Sequence, residues 1–152
     1  VFIFLGVFSL SAFAQTSEQP KNTGQNQKSQ VNSKSSSDSN LEDTNWRLVE
    51  IKDYNLPELK RPVYLYFSQK DNIVRSSGLC NSVRADYKSD DKKNSLIMKM
   101  KPATLIGCDL ENQVEIALAQ SLKRVNRYEI SDKNLYLYRG KTLLITLIFG
   151  KE

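Results

Sequence analysis

From Leu41 onward, apolar and polar residues alternate in short runs. A period of two places one set of side chains on each face of a strand. Asn45–Ile51 is predicted as a first strand. Val63-Tyr64-Leu65-Tyr66-Phe67 is a second, with Val63, Leu65 and Phe67 on one face and Tyr64 and Tyr66 on the other. Gln69–Asn72 has turn chemistry, and Ile73-Val74-Arg75 begins the return strand. Ser82–Lys88 alternates through Val83, Ala85 and Tyr87, and after the polar turn Asp90–Asn94 the run Leu96–Met100 alternates again. Asn134–Tyr138 and Thr142–Leu147 are joined through Arg139-Gly140-Lys141. A Gly-X pair between two β runs marks a tight hairpin.

One segment changes period. Between Leu110 and Val125, the residues Val114, Ala117, Leu118, Ser121, Leu122 and Val125 recur at steps of three and four. This is the apolar face of an amphipathic helix, with Glu111, Glu115, Gln120 and Lys123 toward its polar side. Asp109 is the expected N-cap. Lys123, Arg124 and Arg127 suit the negative C-terminal end. The strands must bury the apolar face, so the expected class is α+β: a single antiparallel β-sheet curled around one central α-helix.

Ahead of this domain the pattern is different. Val1–Phe13 is apolar or small throughout and ends Ala12-Phe13-Ala14 before Gln15. Small residues at these positions suit cleavage after Ala14, so residues 1–14 read as a signal peptide that lacks its basic start. The run is too short for a bilayer span of about 20 residues, and stable membrane insertion is not expected. No Cys follows to carry a lipid. Residues 15–40 are mostly Ser, Asn, Gln, Lys and Thr, with Val31 as the only large apolar side chain, and read as a disordered polar linker. The domain then occupies 41–152, and the expected location is periplasmic or secreted.

Composition narrows the chemistry further. The net charge is +5, but Asp and Glu are interspersed among the 22 Lys and Arg, which argues against a nucleic-acid stripe. There is no histidine. That removes Ser-His-Asp and Cys-His catalysis, and two Cys alone are too few for a four-ligand metal site. No catalytic residue, metal ligand or cofactor is therefore assigned, although counting leaves paired carboxylates open. Asp71, Asp90, Asp91 and Asp132 sit in turns, where Asp serves the backbone.

In an exported chain, Cys80 and Cys108 are expected to form a disulfide. Closing about 28 residues would stabilise the domain by about 3.5 kcal/mol in the chain-entropy view. The alternative is a reactive thiol at Cys108, just before a helix N-terminus. Gly78-Leu79-Cys80-Asn81 reads as a tight corner, with Gly78 free to take positive φ and Asn81 bonding locally. The pairs Tyr64/Tyr66 and Tyr136/Tyr138 lie opposite their strands' aliphatic faces. They are either good β-formers on a half-wet face or a surface for a peptide, glycan or protein partner.

These runs fall in a familiar order. Leu41-x-x-Thr44-x-Trp46-x-Leu48, Pro62-x-x-Leu65-x-Phe67, Gly78-Leu79-Cys80-Asn81, Ala103-Thr104-Leu105-Ile106-Gly107-Cys108 and Glu115 with Leu118 and Leu122 resemble the META domain family of HslJ-like heat-shock and envelope proteins. The likeness covers nearly all of Leu41–Phe149. Leu105 and Ile106 stand where the family often has a basic residue and Met. The resemblance implies a β-sheet wrapped around a helix, with Trp46, Gly78, Asn81, Thr104 and Glu115 as structural motif positions. It also implies a role in envelope stress, secretion or motility, with no catalytic residues to transfer. The expected function is a non-enzymatic exported domain that binds an envelope protein or peptide. The alternative is a carrier of a small apolar or lipid-like molecule between sheet and helix.

Overall fold

The computed structural model describes residues 40–102 and 107–150. The leader assigned to 1–14, the linker up to residue 39 and motif residue Thr104 lie outside the described residues. Eight strands and one helix are described: β1 Asn45–Ile51, β2 Tyr64–Ser68, β3 Ile73–Ser77, β4 Arg84–Asp90, β5 Ser95–Met100, α1 Asp109–Leu122, β6 Arg127–Ser131, β7 Asn134–Arg139 and β8 Thr142–Phe149.

All eight strands are antiparallel neighbours in chain order, and β8 returns to pair with β1, closing a barrel. This corrects the expected curled sheet around a central helix. Two pairings close the circle: β1 with β8, from Trp46↔Phe149 to Ile51↔Ile145, and β5 with β6 at Ser95↔Arg127. β6 has no counterpart among the strands expected from the pattern. The geometry excludes a central helix. An eight-stranded barrel encloses little more than its own side chains, whereas a helix with side chains is about 10–12 Å across.

The interior is filled by Trp46, Leu65, Phe67, Leu96, Leu135, Leu137, Ile145 and Leu147, each at 1% exposure or less. Phe67 and Tyr87 meet edge to face at 5.4 Å between ring centroids. Trp46 Nε1–H donates to the Leu41 carbonyl at 3.0 Å, so the segment before β1 is fixed over one barrel end. α1 instead meets the other end, where β3 finishes and β4 begins. It adds fully buried Val114, Leu118 and Leu122 to the core. Tight connections show why polar residues were placed in them: Asn72, Asn94 and Asp132 all have φ between +51° and +55°, and Gly140 in the β7–β8 turn has φ +58°. Asn and Asp tolerate the left-handed region better than most side chains.

Candidate functional site

Three of the motif residues, Gly78, Asn81 and Glu115, converge where α1 meets the β3–β4 connection. Gly78 has φ +86°, and a Cβ there would overlap the Pro62 carbonyl oxygen and crowd Val63, so only glycine fits. Cys80 forms the disulfide with Cys108, across a Cα–Cα distance of 6.3 Å that a disulfide spans without backbone movement. Cys108 is the helix N-cap; Asp109, expected in that role, is the first helical residue. One residue along from Cys80, Asn81 donates its backbone N–H to Glu115 Oε1. Its Nδ2 donates to Glu115 Oε2 at 2.9 Å and to Asn112 Oδ1 at 3.1 Å.

The spacing explains the convergence. Positions 108, 112 and 115 fall at steps of four and three, on one side of the helix. Glu115 is therefore 6% exposed rather than on the polar face, and Asn81 bonds across to α1 as well as shaping its own corner. A buried carboxylate is costly unless hydrogen-bonded, and the Asn81 donors supply those bonds. The junction is therefore architectural: one covalent and one polar tie, from adjacent residues, to the same helix. Trp46 lies apart from it, inside the barrel and bonded toward the opposite end.

The tyrosines lie on the outer wall. The register runs Tyr64↔Arg47 and Arg47↔Ile148, then Ile148↔Asn134, so β1 and β8 separate the β2 pair from the β7 pair. Tyr66 is 36% exposed, while Tyr64, Tyr136 and Tyr138 are half-buried. Tyr138 lies under the Arg127 guanidinium, 3.9 Å from the ring centroid. A bulge between Leu48 and Glu50 turns Val49 outward at 49% exposure. Together with Phe149, these residues make a partly apolar wall across β2, β1, β8 and β7.

Sequence reasoning missed a second feature, at the barrel end away from α1. A cleft of about 480 Å³ is lined by Glu42, Asp43, Gln69, Asp91, Asn94 and Tyr128, among others. Each carboxylate there is held by a phenol. Tyr66 donates to Asp43 at 2.9 Å, Tyr87 to Glu42 at 3.0 Å, and Tyr128 to Asp91. Burial pushes the Tyr87 and Tyr128 hydroxyls well above their ordinary range, and the hydrogen bonds to Glu42 and Asp91 act in the same direction. For Tyr66 the bond to Asp43 is the main cause of a rise. These phenols stay protonated at neutral pH and act as donors, not as bases. The partners are 23 to 45 residues apart along the chain, so only the fold brings them together. Among the described residues, no group of three or more His, Cys, Asp or Glu is arranged to hold a metal.

These features define a class: a small meander barrel with a helix pinned over one end by a disulfide. The sequence matches the META domain over residues 39–148. The chain belongs to the META domain family. Its fold is similar to that of a protein from Burkholderia xenovorans solved by NMR, at 18% identity and a TM-score of 0.58, over 74% of this chain and 85% of that one. A DUF4847 family protein from Bacteroides vulgatus ATCC 8482 is similar at 15% identity with a TM-score of 0.48. That match spans 59% of this chain and 60% of the Bacteroides chain, less than two thirds of its length. Likeness at these identities is one of fold alone. No curated protein sequence matches the chain.

Proposed function

We propose that this META domain is exported and non-enzymatic, and that it binds an envelope protein or peptide through the outer wall of β2, β1, β8 and β7. The observation that carries the reading is the exposure of that wall. Of six large hydrophobic residues well exposed among the described residues, Val49, Tyr66 and Phe149 belong to it. Tyr64, Tyr136 and Tyr138 extend it with flat amphipathic rings of the kind favoured at interfaces. The Cys80–Cys108 bridge fits an oxidising compartment, which supports export. The carrier alternative, with its ligand between sheet and helix, has less support, because Val114, Leu118 and Leu122 on the inner face of α1 are fully buried.

The test is a photo-crosslinking residue placed at Tyr66 or Tyr136 in the exported chain, with Lys92 as a control at the barrel end. The reading expects one discrete adduct from the wall positions and none from Lys92. Equal labelling at all three positions, or no adduct, would sink it. Peptide mapping without reductant checks export independently: free thiols at Cys80 and Cys108 would remove that support.

A further inference from the structure

α1 has a second unusual face. While Val114, Leu118 and Leu122 are buried, Leu110 and Ile116 point outward at 51% and 52% exposure. Gln113, Gln120, Lys123 and Arg124 share that outer stripe, and Asp109 stands at its start. A helix packed on a core ordinarily presents polar residues to solvent, so folding gives no reason for two large aliphatic side chains there. Between Ile116 and the barrel rim opens a notch of about 190 Å³, lined mainly by Val83, Met100 and Ala119. Arg84 and Lys101 stand on its rim; Glu115 also lines it but is occupied by Asn81.

Beyond the notch, at the C-terminal end of the helix, lies a shallow cleft of about 590 Å³ lined by Gln120, Lys123, Arg124 and Arg139. Most cations among the described residues stand apart from carboxylates, with only Arg75, Lys93, Lys101 and Arg127 in ion pairs, but Lys123, Arg124 and Arg139 converge on this one cleft. Among the described residues, no ion pair involves Lys123, Arg124 or Arg139. The negative helix end explains an attraction for Lys123 and Arg124. It does not explain Arg139, which arrives from the β7–β8 hairpin, nor the two exposed aliphatic residues.

We propose that the outer face of α1, with the β7–β8 hairpin, docks reversibly on an anionic lipid bilayer. Phosphate-bearing head groups meet Lys123, Arg124 and Arg139, and Leu110 and Ile116 enter the boundary beneath them. The occupant follows from complementarity: three clustered cations on the same side as exposed aliphatic groups match a surface that is negative above and apolar below. α1 is about 21 Å long and can lie flat along such a surface. The inference uses a different face from the tyrosine wall and rests on the proposed function only for export.

The test measures co-sedimentation of the chain, after removal of residues 1–14, with phosphatidylcholine vesicles that contain or lack phosphatidylglycerol. Partition should require phosphatidylglycerol and weaken as salt rises. Lys123→Gln and Arg139→Gln should each lower it about fivefold. Ile116→Ser should lower it while leaving the salt dependence unchanged. Lys92→Gln and Lys93→Gln, at the opposite end, should have no effect. Trp46 fluorescence checks that each variant is folded. Equal binding to both vesicle types, or no response to the α1 variants, overturns the proposal. Displacement by inorganic phosphate at constant ionic strength also overturns it, by pointing to a free-anion site. Wall crosslinks that persist in any of these cases leave the protein-binding reading intact.

Discussion

Glu115→Gln is the sharpest test of how α1 is held. The change keeps volume and shape but turns one carboxylate oxygen into an amide NH₂. In the parent, both oxygens accept from Asn81, one from its backbone N–H and one from Nδ2. Whichever way the new amide turns, its NH₂ group faces one of those donors. A hydrogen bond to a charged group contributes about 1.5–3 kcal/mol, and two buried donors are left facing each other. Burying a neutral side chain costs less than burying a carboxylate, which offsets part of that loss. The net expectation is a destabilisation of about 2 kcal/mol, or a Tm lower by about 8 °C for a domain of this size. Urea and thermal unfolding of the oxidised protein, followed through the single tryptophan, would measure it. Glu58→Gln, in an exposed loop, should stay within about 0.5 kcal/mol. If Glu115→Gln also stays within that margin, the Asn81–Glu115 bonds contribute no net stability and the reasoning is wrong.

Replacing Cys80 and Cys108 together by Ser should cost about 3.5 kcal/mol by urea unfolding. In that background the Glu115→Gln loss should differ from its oxidised value by more than about 0.5 kcal/mol, because both ties hold the same helix. Gly78→Ala should cost more than about 2 kcal/mol, because the left-handed conformation and the Pro62 carbonyl both oppose a Cβ; an unchanged urea midpoint would contradict that geometry. Alkaline pH should weaken the fold. Tyr87 and Tyr128 remain protonated in the native state above the value near 10 at which an unfolded phenol ionises. The unfolded chain then releases protons first, and stability falls as pH rises beyond that value, by up to about 1.4 kcal/mol per pH unit for each tyrosine. Tyr128→Phe should flatten that slope in unfolding measured across alkaline pH.

The sequence showed local order better than closure. Val63, Leu65 and Phe67 alternate over a whole strand, and Gly140 marks a two-residue turn, so β2 and the β7–β8 hairpin were readable. β6 was not, because Arg127–Ser131 carries only Tyr128 and Ile130 as apolar residues and follows directly on the basic end of α1. Without β6, the strands suggested an open sheet, and an open sheet has room for a helix. The β1–β8 pairing joins residues about a hundred positions apart, and alternation alone does not say which strands meet. The cysteine pair was readable from its count and the expected export. Glu115 was misplaced because a charged residue near the polar side of a helix is ordinarily solvated; its partner, Asn81, lies 34 residues away. The Glu42, Asp43 and Asp91 cleft gave no sign, since each residue alone resembles an ordinary turn or loop carboxylate.

The meander order has a consequence for how the fold is reached. Strands β2 to β7 can each pair as they become free to fold, since each has a neighbour that precedes it in the chain. β1 finds its second partner only when β8 arrives, and until then the growing sheet has two bare edges. Bare edges recruit other strands, including those of a second copy. The ring is completed in a single late step, so any delay before β8 emerges lengthens the time in which the chain can pair wrongly. A factor that shields the β1 edge during that interval would protect the protein more than one acting on any later stage.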